Sequence, residues 1–247
     1  MKASQACGRA LIAMAVLLSA ATGVSCAQGT VTATVAQSGL IEVGDGSGVL
    51  AVVDLNAHGP GWQNAPQDSA TGQVTDVDGA TRVTGTLPVP NTEGGALNFT
   101  ETITALPQGL RIEYDVSVAQ AMRLSGLQLS VNLPVSRYAG GEVMITRPHD
   151  DPDIAGLPEE QTEGRTQLWR GDGATVEVAS DTPEAISVQL RAATDVVIQD
   201  LRQWEHEVFE IRLPAIMEDP GREVSADDRF HLDVTITFAG PLTLQSE

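Results

Sequence analysis

Residues 109–119, GLRIEYDVSVA, alternate without a slip. Leu110, Ile112, Tyr114, Val116 and Val118 share one face, and Arg111, Glu113, Asp115 and Ser117 share the other. A two-residue period sends successive side chains to opposite sides of a strand, so one face belongs in a core and the other in water. RFHLDVTITF (229–238) repeats the pattern, with Phe230, Leu232, Val234, Ile236 and Phe238 set against Arg229, His231, Asp233, Thr235 and Thr237. LSGLQLSVNLP (124–134) does so with Leu127, Leu129, Val131 and Leu133. TVTATVA (30–36), VLAVVDL (49–55), ATRVTGTL (80–87) and ALNFTETITAL (96–106) add β-branched runs. No segment keeps a helical period for three turns. Clusters such as GDGSG (44–48), DVDGA (76–80) and NTEGG (91–95) supply the Gly and Asp that tight turns need. RGD at Arg170–Asp172 reads as one more hairpin turn. The expected fold is all-β, a large antiparallel two-sheet β-sandwich.

The first 27 residues stand apart. Lys2 and Arg9 precede an apolar run, Leu11 to Ala21, too short to cross a bilayer comfortably. Ser25 and Ala27 then occupy the small-residue positions of a cleavage site, so residues 1–27 read as a secretory signal peptide. This predicts an exported protein, periplasmic or extracellular, with no integral membrane segment in the mature chain. A lipid anchor at Cys26 is the alternative, although Gly23 stands where such signals carry a bulky aliphatic residue. Both cysteines, Cys7 and Cys26, fall in this segment, so the mature chain is expected to hold its core without a disulfide. Its length suffices for one domain over 28–247.

The formal charge is −19, and removing Lys2 and Arg9, with no acid in 1–27, takes it to −21. Such a surface repels nucleic acid and anionic lipid, so neither is an expected partner. The longest interruption, RPHDDPDIAGLPEEQTEG (147–164), reads as an acidic surface loop and is where a sub-boundary would fall. Its acids lack the spacing and glycine of a calcium loop, and Pro152 interrupts them, so no metal site is expected there.

Two segments hold candidate ligand-binding residues. In NAHGPGWQNAPQ (56–67), His58, Trp62, Gln63 and Asn64 sit on a Gly/Pro-framed stretch. An indole face flanked by amides suits a sugar ring; a Trp tucked back to cap the sandwich is the plainer explanation. In IQDLRQWEHEVFEIRLP (198–214), Phe209, Ile211 and Leu213 oppose Glu210 and Arg212. Extending that phase backwards would bury Glu205 and Glu207, which is costly. The strand is therefore expected to break near QWEHE, through a bulge or bend. Arg202 and Trp204 there are binding candidates, and His206, Glu205 and Glu207 are candidates for acid–base work. An ordinary crossover lidded by Trp204 is the plainer alternative. The sequence has no nucleophile elbow, no HExxH, no phosphate loop and no cysteine nucleophile in its mature part; no cofactor is implied.

GLRIEYDVSV, then LSGLQLSVNLPVSRYAGGEV, and later VVIQDLRQWEHEVFEIRLP are similar in order to the galactose-mutarotase-like supersandwich and to β-sandwich accessory domains of secreted carbohydrate-active proteins. The resemblance implies sugars bound or isomerised on a concave sheet face, with polysaccharide or glycan as partner. No catalytic residue carries over from it. Three functions are open: a non-catalytic carbohydrate-binding or accessory module, a carbohydrate-active enzyme (glycosidase, lyase or epimerase), and a structural envelope or adhesion protein.

Overall fold

A computed structural model describes residues 29–247. The signal peptide read at 1–27, with Cys7 and the anchor at Cys26, lies outside the described residues. The chain forms β1 (Val31–Val35), β2 (Ile41–Asp45), β3 (Gly48–Gly59), β4 (Gln63–Pro66), β5 (Thr71–Val77), β6 (Ala80–Pro88), β7 (Ala96–Leu106), β8 (Gly109–Val118) and β9 (Met122–Pro134). A single helical turn, α1 (Val135–Tyr138), follows. Then come β10 (Glu142–Thr146), β11 (Asp153–Gly156), β12 (Gln167–Val178), β13 (Ile186–Asp200), β14 (Val208–Val224), β15 (Arg229–Phe238) and β16 (Leu242–Ser246). The fold is all-β, as the alternation predicts.

The strands join in one path, β16-β1-β2-β3-β9-β14-β13-β15-β8-β7-β6-β5, antiparallel except where β16 lies parallel to β1. β13 is its splice. Ile186–Leu190 pairs with β15, Val197–Asp200 pairs with β14, and β12 runs along the other edge. The path curls until its ends approach. Gly72 in β5 backs onto the Gln37 carbonyl, where a Cβ would sit 2.0 Å from the oxygen, so only glycine fits that contact. The apolar faces meet in one contiguous core.

Behind β3 lies a sealed polar ring. Pro66 ends β4 and cannot continue its ladder, and the Gln67 side chain takes over. Its Oε1 accepts from the Leu55 backbone N–H at 2.6 Å, and its Nε2 donates to Glu101 Oε2 at 3.1 Å. Tyr114 Oη lies 2.7 Å from Glu101 Oε1 and 3.0 Å from Gln67 Oε1. A phenol has one hydrogen and cannot serve both. The hydrogens close if Glu101 is a neutral acid that donates to Tyr114 while Tyr114 donates to Gln67. Burial acts in the same direction, raising the Glu101 carboxyl to about 8.

Two loop expectations are corrected. Arg170–Asp172 is not a hairpin turn; it lies inside β12, where Arg170 pairs with Asp195 at 2.7 Å across the ladder. Its glycines serve packing: a Cβ on Gly173 would meet Ile145 and Val196 side chains at 2.9 and 3.1 Å. The segment 147–164 is not all surface loop. Asp153–Gly156 pairs with β10 as β11, Ala155 and Leu157 are buried, and Arg147 holds Asp150 and Asp153 at 3.1 and 2.7 Å.

Candidate functional site

Four neighbouring strands, β3, β9, β14 and β13, place polar residues on one face. The register aligns Val52 with Asn132 and Glu210, Asp54 with Ser130 and Arg212, Asn56 with Gln128, and His58 with Gly126. Gln199 joins from β13 opposite Glu210. Between them Val53, Leu55, Ala57, Leu129, Val131, Phe209 and Ile211 point into the core. The polar face is the floor of a cleft of about 980 Å³, lined also by Trp62, Asn64, Trp204, Glu205, His206, Glu207 and Met217.

The floor is a connected network. Asn56 Nδ2 donates to Asp54 Oδ2 at 2.7 Å, and Asn132 Nδ2 donates to Asp54 Oδ1 at 2.9 Å. Asn56 also reaches Ser130 Oγ at 3.3 Å, and Ser130 donates to Glu210 Oε1 at 2.5 Å. Arg212 donates through Nε and Nη2 to Glu210 Oε2, at 3.0 and 2.7 Å. Burial and then the charge of Glu210 raise the Asp54 carboxyl to about 7, against the pull of its two amide donors. Burial, helped by Arg212, lowers His58 to about 4 and keeps the ring neutral. As the amide is oriented, Gln128 Nε2 donates to His58 Nε2 at 3.0 Å, which leaves the ring hydrogen on Nδ1. Nδ1 is buried beside the Trp62 backbone with no partner of hydrogen-bonding geometry.

Trp62 folds over this end of the floor. Its backbone is left-handed (φ 59°), and its ring lies 5.4 Å from that of His58. Gly126 makes room, since a Cβ there would stand 2.7 Å from the His58 ring and 3.3 Å from the indole. The other end is closed by the β13–β14 connection. QWEHE is neither bulge nor strand. Arg202–Trp204 forms a 3-10 turn, Glu205 turns left-handed (φ 64°) and returns its N–H to the Arg202 carbonyl at 3.0 Å, and β14 resumes at Val208. That turn lifts Trp204, 50% exposed, and Glu205, His206 and Glu207 to the cleft mouth.

The candidates read from sequence therefore divide. His58, Trp62, Asn64, Trp204, Glu205, His206 and Glu207 share one cleft. Gln63 is exposed on β4 and does not line it. Arg202 does not line it either. Its guanidinium grips Asp200 (3.0 and 2.7 Å), donates to the Pro158 and Glu159 carbonyls, and covers the Phe209 ring at 5.2 Å. It is a clasp tying the 157–160 segment to the rim. Sequence reasoning missed Asp54, Asn56, Gln128, Asn132, Gln199, Glu210 and Arg212 as site residues. Elsewhere among the described residues, Glu113, His231 and Asp233 bring potential metal ligands within 4.8 Å of one another on the outer sheet face, where Arg111 already pairs with Glu113 and Asp233.

No protein-family model and no curated protein matches the sequence. The fold is shared with solved structures. An Escherichia coli K12 protein provisionally assigned as an aldose 1-epimerase aligns with a TM-score of 0.51 at 8% identity, over 84% of this chain and 98% of that one. A galactose mutarotase-like protein from Lactobacillus casei gives 0.49 at 10% identity, over 81% and 94%. A glycoside hydrolase family 97 enzyme from Pseudoalteromonas sp. strain K8 gives 0.46 at 14%, over 85% of this chain and 34% of that one. The chain thus resembles the mutarotase-like supersandwich in fold, and identities this low speak to fold alone.

Proposed function

We propose that the protein binds a carbohydrate in the β3–β9–β14–β13 cleft. The observation that carries this reading is that Trp62 and Trp204 line one cleft, over a floor of amides, carboxyls and a guanidinium. Indole faces suit the apolar C–H faces of sugar rings, and fixed amide and carboxyl groups suit their hydroxyls. The sugar-related names of the structural neighbours agree with it. A cleft of this size also favours a ligand-binding role over a purely structural one. On the pattern of residues 1–27, binding is proposed to take place after export.

The test is a titration of intrinsic tryptophan fluorescence with a panel of mono- and oligosaccharides. Saturable quenching that disappears in Trp62→Ala supports the reading. No response to any sugar at millimolar concentration overturns it.

A second reading is acid–base chemistry on the bound sugar. It is favoured by one pairing in the floor: an Asp54 carboxyl near 7 on the same strand face as a neutral His58. Its test is NMR of candidate sugars incubated with the protein and with Asp54→Asn. Spectra identical to a protein-free control would leave binding alone.

A further inference from the structure

The cleft is long, and its two indoles stand at opposite ends. β3 lends it Val52, Asp54, Asn56 and His58, alternate residues over roughly 20 Å at the rise of a strand. Trp62 covers the His58 end, where β9 contributes Gly126. The turn that carries Trp204 closes the other end. There the Leu201 N–H bonds the Val208 carbonyl at 3.1 Å, and Val208 faces Pro134 of β9. Pro134 lies eight residues along β9 from Gly126, roughly 26 Å of strand. A single pyranose ring cannot touch both indoles.

The floor between them presents unspent amide groups. Asn56, Gln128 and Asn132 commit their nitrogens to Asp54 or His58, while their oxygens have no partner among the described residues and are not sealed from the cleft. Gln199 goes further. It is only 8% exposed and lines the cleft, yet neither its oxygen nor its nitrogen bonds to any described residue, and neither is sealed off. A buried amide without a partner lacks its complement, and a hydroxyl, donor and acceptor at once, supplies it. Asn132 and Gln199 flank Glu210 on one rung of the register, and Asn56 faces Gln128 four residues along β9, roughly 13 Å away. Free amides therefore recur along the floor rather than at one point.

We propose that the ligand is an uncharged, linear oligosaccharide lying along β3 and β9, with one unit stacked on each indole and its hydroxyls bonded to Gln199 and the floor amides. This deepens the carbohydrate reading and rests on it. Units of an extended pyranose chain repeat about every 5 Å, so roughly 20 Å of floor takes about four of them. Amides complement hydroxyls without any charge on the sugar. An anionic chain would meet Glu205 and Glu207 at the mouth, with Arg212 already engaged by Glu210.

The test measures affinity against chain length by calorimetry, from one to six units. The series are α-1,4- and β-1,4-linked glucose, β-1,4-linked mannose, β-1,4-linked N-acetylglucosamine, any other sugar that the fluorescence panel identifies and, as the anionic case, α-1,4-linked galacturonic acid. In the series that binds, affinity should climb to about four units and then level. The tetramer should bind at least about tenfold tighter than the monosaccharide, since it adds an indole and further hydrogen bonds. Trp204→Ala should end the climb about one unit earlier and take roughly fivefold from the tetramer. Gln199→Leu removes no bond within the protein, so its fold should hold while its tetramer affinity falls roughly fivefold. A monosaccharide within about twofold of its tetramer, a climb that does not shorten in Trp204→Ala, unchanged tetramer affinity in Gln199→Leu, or tightest binding of the galacturonic acid series overturns the assignment while the carbohydrate reading stands. If no series binds, and no sugar of the wider panel does, the carbohydrate reading itself fails.

Discussion

Two polar clusters lie on opposite faces of β3, one residue apart. Asp54 and Asn56 look into the cleft, while the Leu55 backbone between them is tied to Gln67, and through it to Glu101 and Tyr114. Both clusters bury a carboxyl, but only one is open. In the closed ring every side-chain oxygen and nitrogen has a partner within the protein, so its chemistry is spent on holding β3 against β7 and β8. In the open network the Asp54 carboxyl, the Asn56, Gln128 and Asn132 amides and the Glu210–Arg212 pair line the cleft. A polar cluster sealed among internal partners is structure; one that lines an open cleft can also exchange its bonds with a ligand.

The largest expected effect breaks this comparison with pH. Glu101 is raised from an ordinary 4.5 to about 8, and Asp54 from 3.8 to about 7. Below the ordinary values both states hold the proton and stability is complete. As pH rises, the unfolded chain ionises first, so the folded state loses stability until each folded value is passed. Each group contributes up to about 1.4 kcal/mol per pH unit within its window. Chemical denaturation should therefore show stability falling by a few kcal/mol from pH 5 to pH 8. Glu101→Gln, whose amide can keep the ring, should leave the Asp54 share, opposed below about pH 6.5 by His58, whose lowered value adds stability as pH rises, and complete near pH 7. A stability flat across this range would contradict the neutral-acid ring.

Next come the partners. Glu210→Ala leaves Arg212, 8% exposed, without its carboxylate, and should cost about 3 kcal/mol in urea denaturation together with loss of ligand binding. Gln67→Leu orphans the Leu55 N–H and opens the ring. It should cost about 2 kcal/mol while sugar affinity stays within about twofold. If Gln67→Leu weakened binding as much as Glu210→Ala, the two clusters would not be separable.

The strands were legible because alternation is a local signal. The phase of VFEIRLP correctly set Glu210 and Arg212 opposite Phe209 and Ile211. What alternation does not say is what covers the polar face. On β8 and β15 that face holds Arg111, Glu113, Asp115 and His231 towards water, with Arg111 paired to Glu113 along its strand and to Asp233 across, and His231 beside Asp115. On β3, β9 and β14 it holds Asp54, Asn56, His58, Gln128, Ser130, Asn132 and Glu210, nearly all buried. The contrast between long charged side chains and short amides, hydroxyls and a histidine was readable in sequence. It marks a floor that must bond laterally rather than reach for solvent. Which four strands lie side by side was not readable, because β3, β9 and β14 are brought together by pairings about 70 to 100 residues apart. The break at QWEHE was legible from the strand phase, but its form was not, since a left-handed Glu205 carries no sequence signal of the kind a glycine would.

The smallest effect on stability should accompany a large one on function. Trp204 is half exposed, stands on a short turn, and shares no hydrogen bond of its side chain with the rest of the fold. Trp204→Ala should therefore shift stability by under about 0.5 kcal/mol. Trp62, packed over His58 and Gly126, is different: its removal uncovers a buried ring and should cost about 1 kcal/mol. If both indoles stack on one ligand, each alanine variant should lose roughly fivefold in affinity, since an aromatic contact is worth on the order of 1 kcal/mol. The two ends of the cleft then differ in stability and agree in binding. Should Trp204→Ala bind as well as the native protein, the ligand contacts only the His58 end, and the Trp204 turn is a lid on the core rather than a wall of the site.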